Sequence, residues 1–169
     1  MPIWLKNLQR AVRLNEHLLQ FHCTFLLNAA RAEKFDVSIA CVDNREIRNL
    51  NRIYRNINAP TDVLSFPYHE VAIPGTLPSP AMPCDYILGD IILGMPLIAA
   101  QCAADGTNLV DRLTILVTHA LCHLMGHTHH TRATCEAMFR DEAQLLATFN
   151  TTFGTKLNPL TTIVKYNHQ

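Results

Sequence analysis

Three histidines carry the chemistry that this chain can do. His119, His123 and His129 stand around Gly126 in the order H-x-x-x-H-x-x-G-x-x-H. An α-helix turns once in about 3.6 residues, so side chains four apart share a face. His119 and His123 therefore aim two imidazoles at one point. A glycine can end such a helix in the left-handed conformation and turn the chain back, which returns His129 toward the other two. Three neutral imidazoles with a fourth position open are the donor set of a catalytic zinc site. The competing reading, a helix with incidental histidines, must treat two spacings and a glycine as coincidence.

The same spacing belongs to zinc peptidases whose motif is H-E-x-x-H-x-x-G-x-x-H. In those enzymes the glutamate after the first histidine is the general base that activates water. Here that position is Ala120, and no methionine-turn signature follows. Both departures count against peptide hydrolysis. A phosphodiester fits better, because zinc polarises a phosphoryl oxygen and an arginine stabilises the charge that builds there. Arg45, Arg48, Arg52 and Arg55 supply such arginines at i, i+3, i+7 and i+10. On a helix at about 100° per residue they gather on one side, opposite Ile47, Leu50, Ile53 and Tyr54. The stripe can bind a phosphate backbone. Otherwise it is a solvated face with Glu46 as partial compensation.

The elements that must position these residues read as a mixed set. Residues 2–8 alternate weakly and predict a strand; residues 15–32 have helical apolar spacing through Leu18, Leu19, Leu26 and Leu27. FDVSIACV, residues 35–42, is a strand by its β-branched content. Asp43 or Asn44 caps the arginine helix, residues 44–55. A turn at 56–61 leads to a short strand at 63–66 that Pro67 stops. Residues 68–85 hold Pro74, Pro78, Pro80, Pro83 and Gly75 without periodicity, and form an irregular surface loop with His69 and Glu70 exposed at its start. A strand at 86–93 contains Asp90, which needs a partner if it is buried. A helix at 94–104 begins near Pro96, and Asp105-Gly106 turns the chain.

Asn108 then caps the histidine helix. Leu113, Leu116, Val117, Ala120, Leu121 and Leu124 form its core stripe. His119 and His123 fall at the edge of that stripe, where a cleft belongs. A last helix at 131–149 packs through Met138, Leu145, Leu146 and Phe149. The expected class is α+β, or α/β-like: one small mixed sheet packed with helices, its strand directions unreadable, and a zincin-like site on a helix and the following turn. One domain is expected over residues 1–150, with a polar tail over 151–169 that is poorly tied down.

Composition limits the alternatives. The 169 residues are 49% hydrophobic and 17% charged, which suits one packed domain and excludes a disordered chain. The most apolar stretch, residues 87–104, is broken by Asp90, Gly94 and Pro96, so a spanning helix and a membrane partner are not expected. The first residues lack the apolar block of a secretory signal. Lys6, Arg10 and Arg13 precede any acid, which allows a targeting role, although a first strand followed by a helix is preferred. The six cysteines form no C-x-x-C pair and read as reduced thiols of an intracellular protein. Formal net charge is zero, so nucleic-acid binding must rest on a local patch.

Three segments resemble, in order, the signatures of the YbeY family: NRIYRNINAPTDVLSFP at 51–67, LGDI at 88–91 and THALCHLMGHTH at 118–129. FDVSIACVDNREIRNLNRIYR looks most like its animal-type members, which are linked with mitochondria. The resemblance implies a zinc-dependent, single-strand-specific endoribonuclease acting in ribosomal-RNA maturation and ribosome quality control. It implies one zinc held by His119, His123 and His129 in a cleft, with Arg55 as the arginine needed for activity. It strengthens RNA contact for Arg55 and extends it to Arg52 and Arg48. Its implied partners are ribosomal RNA, a small-subunit ribosomal protein and a ribosome-associated GTPase. The implied place is mitochondrial, with nucleus or cytoplasm as alternatives.

The chain departs from that pattern in three places. Bacterial members usually have Gly-Tyr-Asp-His where this chain has Gly126-His127-Thr128-His129, and His127 is a competing ligand. Ala120 replaces a usual glycine, and its methyl could crowd a helix contact. His130 adjoins the site and is expected to face solvent. A second reading is an assembly factor with structural zinc, which a fourth ligand from His127 or Cys122 would favour. A zinc peptidase is the third.

Overall fold

The computed structural model describes residues 3–163. In chain order the elements are β1 (Ile3–Asn7), α1 (Glu16–Ala29), β2 (Asp36–Val42), α2 (Asn44–Arg55), β3 (Val63–Pro67), β4 (Ile87–Gly94), α3 (Met95–Asp105), α4 (Leu109–Leu124) and α5 (Arg132–Phe153), with a short 3-10 turn at Pro83–Asp85. The four strands lie in the order β1-β2-β4-β3. β1, β2 and β4 run parallel, and β3 closes the edge antiparallel to β4. The expected mixed α+β sheet is therefore present. Pro2, expected to open the first strand, and residues 164–169 of the expected tail lie outside the described residues.

Alternation decides which side of the sheet faces the core. Val37, Ile39 and Cys41 on β2 and Ile91 and Leu93 on β4 are fully buried, in one cluster with residues of α1, α3, α4 and α5. The whole α4 stripe is buried, Ala120 included, so its methyl fits the packing. Each such leucine contributes roughly 1.5–3 kcal/mol relative to an exposed one. On the opposite face α2 lays Ile47 against Val42 and Leu64. Ile53 and Tyr54 stay more than half exposed, the Tyr54 ring meeting Phe66 at the margin of that packing. Asp90 also points outward and needs no buried partner.

Side-chain caps fix the helix starts. Asp43, not Asn44, caps α2 by accepting from the Glu46 amide at 2.8 Å. Asn108 accepts from the amides of Val110 and Asp111 at the start of α4. Thr131 and Thr134 form a reciprocal capping box at the start of α5.

α5 runs one turn past the expected end at 149. That turn is held by tertiary packing: Phe153 meets Phe25 edge-on at 5.0 Å between ring centroids and lies 5.0 Å from His22. The tail also departs from expectation. The side chain of Asn150 exchanges hydrogen bonds with the backbone of Leu157 at 2.9 Å in both directions, and Thr161 is buried. The physical reason is a buried carboxylate, Glu142, that accepts from the amides of Leu160 and Thr161.

Candidate metal centre

α4 delivers two histidines and its C-terminus delivers the third. The Gly126 amide bonds the His123 carbonyl at 3.0 Å and the His127 amide bonds the Cys122 carbonyl at 3.0 Å, a Schellman closure. Gly126 has φ +86°, and a Cβ there would lie 2.7 Å from Cβ of Val71. Both the turn and the approach of the 68–85 loop require glycine. The Gly75 amide bonds the Met125 carbonyl at 3.0 Å, so the loop is pinned to the turn that carries the site. His69, at the start of the loop, bonds the Asp85 carbonyl through Nε2 at 2.8 Å.

One ring nitrogen from each of His119, His123 and His129 lies within 4.8 Å of the other two. His119 is buried, His123 half-buried and His129 exposed, which grades the site from core to solvent. Each inner ring has its far nitrogen occupied. Nδ1–H of His119 donates to Glu142 Oε1 at 2.8 Å. Nδ1–H of His123 donates to the His127 carbonyl at 2.8 Å. With both protons on Nδ1, the two Nε2 atoms present lone pairs to each other at 3.1 Å. Two facing lone pairs repel, and a shared cation between them removes the repulsion. The three imidazoles thus fit a metal ion, and His119, His123 and His129 can hold one.

Burial favours the neutral form of His123 and His129. Burial, with His119 beside it, pushes His123 down to about 4. Burial and then His119 also lower His129. Glu142 is fully buried. Burial alone would raise its pKa, but hydrogen bonds from His119 and Thr161 outweigh that and hold it below the ordinary value. It is an ionised acceptor, as orientation of a ligand histidine requires.

His127 is buried with its ring turned to Asp141, Nε2 to Oδ2 at 2.6 Å. It contributes a backbone carbonyl to the site, and its ring is outside the metal-competent group. Cys122 is also outside it; burial pushes its thiol well up, away from the thiolate a metal needs. His130 is exposed and lines the cleft. Among the described residues no fourth His, Cys, Asp or Glu joins the three.

The cleft encloses about 630 Å³ between the histidines, β3 and the end of α2, and Arg55 and Tyr54 form part of its wall. Arg55 is the last residue of α2, where Asn56 turns left-handed at φ 57°. Nδ2 of the buried Asn51 holds the following turn by donating to the Ala59 carbonyl at 2.8 Å. The arginine stripe is divided. Arg45, Arg48 and Arg52 line a different groove, of about 800 Å³, with Leu8, Ala40 and Ile92. Nε of Arg48 donates to Asn58 Oδ1, and Nη2 of Arg52 to Asn49 Oδ1.

Glu142 and Thr161 escaped the sequence reading. A signal for Glu142 was present: it falls between Met138 and Leu145, Leu146 and Phe149 on one helical face, and a carboxylate on an apolar face demands a partner. Thr161 carried no such pattern.

The fold and the site have known counterparts. A solution structure from Thermotoga maritima superposes with a TM-score of 0.53 at 18% identity, covering 95% of this chain and 99% of that one; it supports the fold alone. Human Endoribonuclease YbeY is 44% identical over 161 residues, 95% of this chain and 96% of its own. The Endoribonuclease YbeY of Moorella thermoacetica is 37% identical over 152 residues, 87% of this chain and 96% of its own. The family model described as Endoribonuclease YbeY matches residues 5–150. With the three-histidine cleft inside that match, the chain belongs to the YbeY endoribonuclease family.

Proposed function

We propose that this chain is a zinc-dependent endoribonuclease that cuts single-stranded RNA during ribosomal-RNA maturation and ribosome quality control in mitochondria. One observation carries the reading: three convergent imidazoles share a single cleft with Arg55. The human relative bears the name of an endoribonuclease. Nitrogen donors in this number suit zinc, and the chemistry a bound zinc supplies is Lewis-acid polarisation of a phosphoryl oxygen.

The chain's own residues do the rest. Glu142 and the His127 carbonyl fix the two inner rings so that Nε2 of each faces the cleft. Arg55 meets the negative charge that develops on the phosphate. Tyr54, stacked edge-on with Phe66 at 5.0 Å, offers an exposed aromatic face to an unstacked base. Arg48 and Arg52 extend the path of the RNA backbone along α2. A small-subunit ribosomal protein and a ribosome-associated GTPase are the proposed partners. No described helix is long and apolar enough to cross a membrane.

The alternatives lack a supporting observation. A purely structural zinc asks for a fourth protein ligand, and a peptidase asks for a carboxylate where Ala120 is buried. The test is cleavage of single-stranded RNA by metal-quantified wild type beside His123→Ala and Arg55→Ala. Both variants are expected to lose at least about a hundredfold in rate, the scale of a lost transition-state contact. Equal cleavage by all three preparations would indicate a contaminating nuclease and sink the assignment.

A further inference from the structure

We propose that the segment carrying Leu160 and Thr161 is a strap that holds Glu142 against His119, and that this strapped carboxylate sets how tightly the three histidines bind a metal ion. The inference rests on the metal-dependent reading above and adds a positioning residue and its regulator to it.

Glu142 has no exposed surface. A carboxylate in such a place is costly unless its lone pairs are met by donors. Four donors meet them. Oε1 accepts from Nδ1–H of His119 at 2.8 Å and from the hydroxyl of Thr161. Oε2 accepts from the backbone amides of Leu160 at 2.8 Å and Thr161 at 3.1 Å. Three of the four donors come from the strap, and the fourth is the histidine itself. The strap thus supplies most of what keeps the carboxylate in place, and the carboxylate supplies what keeps the His119 ring in its Nδ1–H form. That form leaves Nε2 free, aimed at Nε2 of His123. A carboxylate partner also makes a ligand imidazole more basic and fixes its plane. Coupling of this kind is reciprocal: a strap that tightens metal binding is itself tightened when metal binds.

The experiment compares zinc affinity, by chelator competition, in wild type, Glu142→Gln, Thr161→Val and Thr161→Ser. The visible spectrum of the cobalt-loaded forms and the melting temperature of the metal-free forms are recorded alongside. Glu142→Gln and Thr161→Val are expected to bind zinc about 10–100-fold more weakly and to alter the cobalt spectrum. Thr161→Ser, which restores the hydroxyl, is expected to restore both. Zinc is also expected to slow hydrogen exchange at the Leu160 and Thr161 amides. If Glu142→Gln fails to fold, the Thr161 pair decides. A Thr161→Val protein that melts lower without metal yet binds zinc like wild type overturns the strap alone. A wild type that binds no zinc overturns the metal-dependent reading, and the strap with it.

Discussion

At the scale of single residues, Ala120 separates this site from a peptidase by packing as much as by chemistry. It follows the first histidine and lies fully buried in the α4 core stripe. A glutamate placed there would put a charge into the buried apolar stripe of Leu116, Val117, Leu121 and Leu124. Ala120→Glu is therefore expected to destabilise the protein by roughly 3–5 kcal/mol, the cost of an uncompensated buried charge, without creating peptide hydrolysis. Denaturant unfolding measures it. A variant as stable as wild type would mean that the stripe opens to solvent at this point. The three convergent histidines obey the same logic in reverse. They sit where burial lowers the pKa of His123 and His129, so protons compete poorly with a metal at neutral pH.

At the scale of elements, α2 serves two surfaces. Its last residue, Arg55, faces the histidine cleft, while Arg48 and Arg52 line the groove on the open side of the sheet. Phosphate contacts that position RNA release counterions, and those that act on the scissile group lower the barrier. The Arg48→Ala/Arg52→Ala double variant is expected to raise KM with kcat unchanged. The slope of log affinity against log salt should become shallower by about 0.7 per lost contact. An unchanged slope would leave this face merely solvated. The helical wheel placed all four arginines on one side, but it could not divide them, because the division depends on where the sheet edge and β3 fall. Caps and strands were legible because their determinants are local: Asp43, Asn108 and the alternation of β2 lie within a few residues of what they fix. Strand direction was not, since it is set by pairing across the sheet. The Glu142 network was hidden for the same reason, its partners lying 23 residues before it and 19 after it.

At the scale of the whole molecule, the helical layer closes over His22. This residue of α1 is buried, with its ring 4.8 Å from Phe149 and 5.0 Å from Phe153 on α5. The hydroxyl of Thr114 on α4 donates to the Val110 carbonyl, so at His22 it accepts, and Nδ1 of His22 carries the proton at 3.2 Å. One neutral imidazole thus ties three helices together beneath the sheet. Burial lowers its pKa from the ordinary 6.5, and Asp111 only partly opposes this. In the folded state the ring resists a proton that the unfolded chain accepts freely. Its contribution is therefore intact above pH 6.5 and drains away as pH falls from 6.5 toward the lower folded value. Metal-free wild type is expected to lose melting temperature more steeply between about pH 6.5 and pH 5 than His22→Asn, which keeps a donor for Thr114 but does not titrate there. His123 and His129 add to the slope in both proteins, so the difference between the two curves isolates His22. Parallel curves would show that the three helices accommodate a charged ring and that other groups set the acid sensitivity.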